Sequence, residues 1–167
     1  MHVIILMAVT ADGLIARNSN HVVDWTGKAD KQYFVHTTKK SGAMIMGSKT
    51  FDMIGCILPE RKNIVMTRDK TRKSHDNNLV FTDKAPGLII KDLNSQGFKS
   101  AVIIGGSTIN TLFLKENLVD EIHMTIVPKL FGRGLSLFNE SIHTQLELIH
   151  VGELDKGRVL LKYKIKL

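Results

Sequence analysis

The stretch that decides the fold is Val102–Asn110, which reads Val-Ile-Ile-Gly-Gly-Ser-Thr-Ile-Asn. An apolar run typical of a buried strand stops at Gly105 and Gly106, and a segment with helical spacing of apolar residues continues through Leu118. Two glycines let the backbone turn sharply and approach a ligand closely, because neither carries a Cβ atom. The N-terminus of the following helix directs unsatisfied N–H groups and partial positive charge towards the turn. This arrangement suits a phosphate group, although a turn that only connects a strand to a helix has the same sequence pattern.

A second stretch, Met46–Thr50, repeats this arrangement as Met-Gly-Ser-Lys-Thr. Ser48 is expected to cap a helix that runs through Ile54. Lys49 in this turn and Arg68 after a later strand are expected to add positive charge near phosphates, with plain solvent exposure as the alternative. Neither glycine turn has the spacing of a Walker A loop or a Rossmann fingerprint, so both of those nucleotide-binding classes are excluded.

Strand-like and helix-like segments alternate along the chain, which ends in two strands joined by a turn. This order predicts an α/β sandwich with a mainly parallel sheet and an antiparallel C-terminal hairpin. Ligands of such sheets bind beyond the carboxyl ends of the strands, so residues 10–16, 47–50 and 105–108 are expected to converge there. The predicted strands are His2–Val9, Ala43–Met46, Asn63–Thr67, Leu79–Thr82, Ala101–Ile104, Glu121–Val127, Gln145–Val151 and Arg158–Ile165; the predicted helices are Lys28–Lys40, Ser48–Ile54, Gly87–Gln96 and Ser107–Leu118.

Size and composition narrow the class of protein. The 167 residues, 43% of them hydrophobic, are expected to form one globular domain over residues 1–167. The net charge of +7 invites a nucleic-acid ligand, but the basic residues are spread out and lack interleaved aromatics, which favours a small anionic molecule. Cys56 is the single cysteine, which excludes an internal disulfide and fits the cytoplasm. The histidines lack metal-ligand spacing, and no apolar run reaches the roughly 20 residues of a membrane span, so neither metal nor membrane is expected.

Asp30 is the carboxylate that the pattern singles out for chemistry. It falls in the first turn of the predicted helix, and Tyr33 and Phe34 follow about one turn later. A carboxyl group beside aromatic side chains in a cleft can serve in proton transfer. The alternative is a surface carboxylate that stabilises the start of the helix through its dipole. Asp12, Asp24 and Asp52 are the competing candidates, and of these Asp12 is expected to shape a turn with Gly13.

These motifs together resemble the dihydrofolate-reductase-like fold over nearly the whole chain. The resemblance implies a three-layer α/β sandwich and a cis peptide between the paired glycines. It rests on Ala8–Ile15, on Trp25 with Asp30 and Phe34, on Met46–Phe51, on Ile54–Gly55 and Leu58–Val65, and on Val102–Ser107.

The C-terminal third resembles the reductase domain of riboflavin biosynthesis, through Val119–Ile122, Val127–Gly134 and Leu137–Phe138. The central block is of the folate type, without the riboflavin enzymes' Asp-Asp-Pro loop after Thr50. Ser48 replaces an arginine of the folate type, and Asn110 replaces its tyrosine near the nicotinamide. The chain is therefore similar to stand-alone bacterial and archaeal reductases with a riboflavin-type reductase domain.

The resemblance implies hydride transfer from NADPH to an electron-poor C=N or C=O carbon. It implies that Asp30 accepts two hydrogen bonds from a 2-amino-4-oxopyrimidine edge and that Thr125 supports the same edge. Arg61 is expected to bind a substrate carboxylate or phosphate, with an exposed loop arginine as the alternative. The implied cofactor-binding residues are Ala8, Ile15, Ala16, Gly47, Ser48, Lys49, Thr50, Thr67, Arg68, Gly105, Gly106, Ser107 and Thr108, and the implied substrate-binding residues are Asp30, Phe34, Ile54, Arg61 and Thr125.

The leading hypothesis is an NAD(P)H-dependent reductase of the riboflavin-biosynthesis reductase domain family. Its expected substrate is a 5-amino-6-(5-phosphoribosylamino)uracil-type pyrimidine or a related pterin-like compound. Dihydrofolate reductase is the alternative within the same superfamily. A non-catalytic protein that binds a nucleotide or a nucleic acid is the alternative from another class. The riboflavin-type C-terminal segment implies a homodimer.

Overall fold

A mostly parallel eight-stranded sheet forms the centre of the computed structural model, which describes residues 1–166. The order of strands across the sheet and their directions are those of a doubly covered α/β sheet with an antiparallel end. The elements are β1 (His2–Thr10), β2 (Leu14–Ala16), α1 (Lys28–Ser41), β3 (Ala43–Gly47), α2 (Ser48–Ile54), β4 (Lys62–Met66), β5 (Leu79–Thr82), α3 (Pro86–Ser95), β6 (Ser100–Ile103), α4 (Ser107–Lys115), β7 (Glu121–Val127), β8 (Leu135–Ser136), β9 (Gln145–Asp155) and β10 (Arg158–Lys166).

The sheet has the order β5-β4-β3-β6-β1-β7-β10-β9. The first six strands across the sheet, from β5 to β7, all pair in parallel. Strand β10 pairs antiparallel with both β7 and β9. Helices α1 and α2 cover one face, where Phe34 and Phe51 pack against a core that includes Met46. Helices α3 and α4 cover the other face, where Leu93 and Phe113 are fully buried. The predicted three-layer α/β sandwich is confirmed, and its central strands are apolar throughout because both faces are covered.

Several element ends differ from the predicted ones. Helix α4 ends at Lys115 rather than at Leu118, because Asn117 adopts a positive φ of 55° and the chain turns there. Ser48 is the first residue of α2 and not its cap; Gly47 occupies the N-cap position. Strand β9 continues to Asp155 because its pairing with β10 extends to the tight turn at Lys156 and Gly157.

Strands β2 and β8 were not predicted. They are three and two residues long and pair only with each other. Such short segments carry too little alternation to be read as strands from the sequence. Their pairing places Leu135 beside Ala16, so the C-terminal third of the chain lies against the loop that follows β1.

The parallel strands bring three loop segments to one edge of the sheet. Strands β1, β3 and β6 run in the same direction and are neighbours, so their carboxyl ends, followed by residues 10–16, 47–50 and 105–108, lie side by side. The predicted convergence of these segments at that edge is therefore what the topology produces. Within residues 1–166, no helix has both the length and the apolar character needed to cross a lipid bilayer.

Candidate active site

The two glycine turns meet at the carboxyl ends of β3 and β6. The backbone N–H of Gly47 donates a hydrogen bond of 2.9 Å to the carbonyl oxygen of Gly105. Gly105 has a φ of +90°, and a Cβ atom on it would lie 3.1 Å from Met7 Sδ. A Cβ atom on Gly47 would lie 3.2 Å from Ile109 Cγ1. A larger residue at Gly105 would be strained by this φ and crowded by Met7, and one at Gly47 would be crowded by Ile109. The peptide between Gly105 and Gly106 is cis, as the resemblance predicted.

Two helices begin at this pair of turns. Helix α2 starts at Ser48 and α4 starts at Ser107, and no side chain in residues 1–166 caps either first turn. A Cβ atom on Gly106 would lie 3.8 Å from Thr50 Oγ1, so the Thr50 hydroxyl faces the paired glycines. Thr108 Oγ1 accepts a 3.2 Å hydrogen bond from Asn139 Nδ2. The turns thus combine backbone N–H groups with hydroxyl groups, the donor set that binds phosphate at helix N-termini.

Positive charge is available beside α2 and after β4. Lys49 and Arg68 are exposed, and neither forms an ion pair in the described part of the chain. Arg72 is different, because both terminal nitrogens of its guanidinium bind the Asp52 carboxylate at 2.7 Å. Thr67 precedes Arg68, and its hydroxyl accepts the Asp69 N–H at 3.1 Å. Lys49 and Arg68 are therefore the cations of this region with charge left to offer a ligand.

Asp30 and Thr125 lie at the same edge, on the face covered by α1. Asp30 is buried in the first turn of α1, and Tyr33 stands three residues later on the same side of the helix. Tyr33 Oη lies 2.8 Å from Nδ1 of His123 on β7. Thr125 is two residues beyond His123 and points to the same side of the sheet. The Tyr33–His123 contact therefore brings this part of α1 over β7, with Asp30 and Thr125 both displaced from it towards the carboxyl end of β7.

Three buried side-chain polar atoms have no hydrogen-bond partner in residues 1–166. They are Thr125 Oγ1, on a fully buried side chain, Trp25 Nε1 and Asn110 Oδ1. Ala8 pairs with Thr125 across β1 and β7, so its methyl group lies on the same face. An unpaired buried polar atom destabilises a protein by roughly 1–3 kcal/mol. A ligand with a polar group at this position on β7 would satisfy Thr125 Oγ1, so the site fits a polar heterocycle.

Arg61 is buried, which excludes the exposed loop arginine considered above. Its side chain is 4% exposed; Nε donates to Pro59 O at 2.9 Å, and Nη1 donates to Thr38 Oγ1. No carboxylate forms an ion pair with it in residues 1–166, since the neighbouring Glu60 pairs with Lys39. Burial lowers the pKa of the Arg61 guanidinium. The structure thus contains a buried cation without an anionic partner.

The remaining predicted contact residues flank these groups. Phe34 on α1 and Ile54 on α2 are partly buried in the apolar core beneath the two helices, together with Leu58. Ile15 and Ala16 are buried on β2 next to the end of β1. The structure therefore brings the predicted residues to one edge in two groups, the glycine turns with Lys49 and Arg68, and the α1 face with Asp30.

The sequence interpretation missed the role of Asp12. Its carboxylate accepts the N–H groups of Phe131 at 3.1 Å and Gly132 at 2.7 Å. Hydrogen bonds hold the pKa of the Asp12 carboxyl below its usual value; the bond from the Thr10 hydroxyl has the largest effect, and those from the two N–H groups add to it. The Phe131 ring meets Trp25 edge to face, with 5.0 Å between ring centroids. Asp12 thereby fastens the C-terminal segment over the loop after β1, a contact between residues too far apart in sequence to be predicted.

His123 was also missed, because its position in a strand gave no chemical signal. Its ring is buried, and Nε2 lies 2.8 Å from Glu121 Oε2. Burial lowers the pKa of His123, and the hydrogen bond to Glu121 only partly offsets that effect. In the described part of the chain, no group of three or more His, Cys, Asp or Glu side chains is placed to hold a metal ion.

Known structures with the same fold define the class. A protein from Shewanella sp. PV-4, described as "Putative riboflavin biosynthesis protein", is 28% identical, has a TM-score of 0.85 and matches 100% of both chains. RibD from Acinetobacter baumannii, at 19% identity and a TM-score of 0.85, matches 99% of this chain and 58% of its own. The fold is thus dihydrofolate-reductase-like and is shared with proteins of the RibD type.

Sequence comparison then gives the family. The profile of the dihydrofolate reductase family matches residues 2–158. Dihydrofolate reductase from Buchnera aphidicola is 33% identical over 131 residues, which cover 77% of this chain and 73% of that protein. The chain belongs to the dihydrofolate reductase family, whose members are oxidoreductases.

The buried state of His123 predicts a pH dependence of stability. Because its pKa is lowered in the folded protein, the unfolded chain takes up a proton first as the pH falls. The stability that neutral His123 supports is complete above an unfolded pKa of about 6.5 and is lost as the pH falls towards the folded pKa. In urea unfolding, His123→Gln should lose less free energy of unfolding than the wild type between about pH 7 and pH 5. His75→Gln, at an exposed histidine, should keep the wild-type slope; equal slopes for wild type and His123→Gln would contradict the assignment.

Proposed function

We propose that this protein is an NADPH-dependent reductase of a pyrimidine or pterin-like substrate, and that Asp30 anchors this substrate. The observation that carries the proposal is the buried Asp30 carboxylate beside the unpartnered Thr125 hydroxyl, at the sheet edge where the Gly47 and Gly105 turns meet. An acidic anchor and a phosphate-binding pair of turns at one edge suit a flat polar ring and a dinucleotide. Neither group alone would require a redox reaction.

Asp30 selects the edge of the substrate ring. An ionised carboxylate only accepts hydrogen bonds, and its two oxygens match a ring N–H and an adjacent amino group. The Thr125 hydroxyl can both donate and accept, so it complements the remaining polar atom of such an edge. Dihydropterins and diaminopyrimidine ribose phosphates both present a 2-amino-4-oxopyrimidine edge. The anchor therefore defines a substrate class whose 2-amino members are equivalent, whereas a uracil has an oxo group in place of the 2-amino group and offers Asp30 only a ring N–H on that edge.

The chain's own groups hold the cofactor and complete the proton balance. NADPH supplies the hydride when it is bound. The N–H and hydroxyl groups of 47–50 and 105–108 would bind its phosphates, with Thr67 beside them and Lys49 and Arg68 as counter-charges for the additional phosphate that distinguishes NADPH from NADH. Ala8, Ile15 and Ala16 would line the nicotinamide. Asp30 would orient the ring, and its carboxyl group would relay a proton from solvent to the substrate nitrogen as the carbon of the C=N bond takes the hydride.

The leading substrate is a pyrimidine ribosylamine phosphate of the 5-amino-6-(5-phosphoribosylamino)uracil type, or a related pterin-like compound. Support comes from the similarity over the whole chain to the Shewanella protein, which is described as a riboflavin biosynthesis protein. The C-terminal segment that contacts the loop after β1 through Asp12 and Phe131 is the part of the sequence that resembles the riboflavin type. The phosphate of such a substrate would also suit the buried, unpaired Arg61.

Dihydrofolate reductase is the second candidate, and the surroundings of Arg61 favour it. The apolar side chains of Phe34, Ile54 and Leu58 border the same region, which suits an aromatic ring between a pterin and a carboxylate. The match to the dihydrofolate reductase family and the 33% identity to the Buchnera enzyme support this candidate as well. A charged phosphoribosyl group would gain less binding free energy from contact with these apolar side chains.

Replacing Asp30 tests the proposal directly. The oxidation of NADPH by the purified protein should be measured with four substrates: dihydrofolate, a dihydropterin, the uracil-type ribosylamine phosphate and a diaminopyrimidine ribose phosphate. Asp30→Asn keeps the size of the side chain but removes its charge, so kcat/KM for the true substrate should fall about 100-fold or more. Asp24→Asn, at an exposed carboxylate just before α1, should retain wild-type kcat/KM.

The panel also separates the candidates. Turnover of dihydrofolate at an ordinary enzymatic rate, lost in Asp30→Asn, would place dihydrofolate reductase first. If NADPH binds but no substrate turns over, a non-catalytic nucleotide-binding role replaces the proposal. If NADPH does not bind and oligonucleotides bind with strong salt dependence, the protein is a nucleic-acid binder.

Cofactor choice depends on Lys49 and Arg68. Because each is expected to contact a phosphate that NADH lacks, Lys49→Ala and Arg68→Ala should each weaken NADPH binding by about tenfold and leave NADH binding nearly unchanged. Fluorescence titration with both nucleotides measures this difference. Lys73→Ala, an exposed lysine of the following loop, is the matched control and should change neither affinity. Equal losses for the two nucleotides would count against a role in NADPH selectivity.

The free edge of the sheet supports a homodimer. Strand β9 has no neighbour on its outer side and exposes Leu148 and Val151, with relative accessibilities of 53% and 61%. The register shifts between Tyr163 and Lys162, so one extra β9 residue lies between Leu148 and His150. This bulge places Leu148 and Val151 on one face and Glu147 and His150 on the other.

The bulge makes β9 complementary to itself. In an antiparallel pair with a second copy, centred between residues 148 and 149, Glu147 of each copy faces His150 of the other. The double variant Leu148→Lys with Val151→Lys should therefore convert the protein from dimer to monomer in size-exclusion chromatography with light scattering. Leu88→Lys, an equally exposed apolar position on α3, should stay dimeric. A monomeric wild-type protein would refute the homodimer.

A further inference from the structure

A buried hydrogen-bonded bridge connects α1 with the sheet just below Asp30. Tyr33 Oη lies 2.8 Å from His123 Nδ1, and His123 Nε2 lies 2.8 Å from Glu121 Oε2. His123 is 5% exposed, while Glu121 lies at the partly open end of β7. None of the three side chains belongs to the substrate or cofactor groups described above. The bridge is therefore a polar structure within the core that the proposed chemistry leaves unexplained.

The partners determine the direction of each hydrogen bond. The Glu121 carboxylate can only accept, so Nε2 of His123 carries the hydrogen and donates it. In a neutral imidazole Nδ1 then has a lone pair and accepts the hydrogen of the Tyr33 hydroxyl. The other charged groups near this ring are Lys162, whose Nζ lies 5.5 Å from the Tyr33 ring centroid, and His2, whose Nε2 lies 3.3 Å from Glu121. The bridge is thus satisfied in one arrangement, with His123 neutral.

The bridge and the substrate anchor share the same two elements. Along α1, Asp30 precedes Tyr33 by three residues, a rise of about 4.5 Å. Along β7, Thr125 follows His123 by two residues, a rise of about 6.6 Å in the same direction. A fixed distance between Tyr33 and His123 therefore fixes the distance between the Asp30 carboxylate and the Thr125 hydroxyl.

No side chain in residues 1–166 caps the first turn of α1. Its N-cap is Gly27, which has no side chain to cap the first turn. Arg158 Nε holds the preceding carbonyl of Thr26 at 2.6 Å, which fixes the entry to the helix but not the rotation of its first turn. The side-chain contact of Tyr33 with His123 acts on the turn that carries Asp30.

We propose that His123 is a positioning residue for substrate binding, which acts through Tyr33 to hold the Asp30 carboxylate at the separation from Thr125 that a pyrimidine edge requires. The inference rests on the function proposed above, in which Asp30 anchors the substrate. Tyr33 and His123 do not contact the substrate; they determine the geometry of the groups that do. Glu121 fixes the tautomer of His123 and so the direction of its bond to Tyr33.

The test is a thermodynamic cycle on the full-length protein, with pterin (2-amino-4-oxopteridine) as the probe and its fluorescence as the readout. Tyr33→Phe removes one hydroxyl group, and His123→Leu removes both ring nitrogens. Each should weaken pterin binding about three- to tenfold, the double variant should lose no more than the larger single loss, and NADPH affinity should stay within about twofold. His123→Gln, which keeps an acceptor and a donor, should recover part of the loss. Ser100→Ala removes a 3.1 Å hydrogen bond to Ser41 at the amino end of β6, away from the site, and should change neither affinity.

The Asp30→Asn background distinguishes positioning from general stability. If Tyr33 acts through the carboxylate, Tyr33→Phe should have no further effect on pterin binding once Asp30→Asn is present. An undiminished effect in that background, an equal loss of NADPH affinity, or no effect of Tyr33→Phe on pterin binding would each overturn the positioning role and leave the proposed function intact. If Asp30→Asn itself leaves pterin binding unchanged, the anchor and the proposed function fail together with this inference.

Discussion

The hydrogen bond from the Gly47 N–H to the Gly105 carbonyl is the contact on which the rest of the site depends. It joins the ends of β3 and β6 where each chain segment turns into a helix, and it forms only because neither glycine carries a side chain. Two helix N-termini then face the same space without any side-chain cap. The constraint is steric as much as electrostatic, since a Cβ atom at either turn would crowd the side chain of Met7 or Ile109, which would have to shift.

The second half of the site is organised by α1 rather than by a loop. A helix covering a parallel sheet runs antiparallel to the strands, so its first turn lies above their carboxyl ends. Asp30 reaches the sheet edge for that reason, and the Tyr33–His123 contact sets its depth over β7. Among residues 1–166, the buried Thr125 hydroxyl on β7 has no hydrogen-bond partner. A protein can tolerate a buried polar atom that has no hydrogen-bond partner where a ligand supplies the missing hydrogen bond.

The C-terminal third connects the two reductase types that the chain resembles. Asp12, in the loop after β1, binds backbone N–H groups of Phe131 and Gly132, and β2 pairs with β8 in the same region. A segment that resembles the riboflavin type thus packs against the loop after β1, whose Asp12-Gly13 resembles that type as well. The outer strand, β9, leaves apolar side chains uncovered at the opposite end of the molecule from β5.

The sequence by itself determined the layers, the parallel strands and the glycine turns, because these depend on apolar periodicity and on the absence of side chains, which are local properties. It also indicated Asp30, since a carboxylate in the first turn of a helix can be read from neighbouring residues. Only the tertiary structure decided that Arg61 is buried without an anion, that Asp12 holds Phe131 and that His123 supports Tyr33. Each of these depends on side chains brought together from distant segments, or on the loss of solvent around a charge. Neither effect produces a periodic pattern of residues in the sequence.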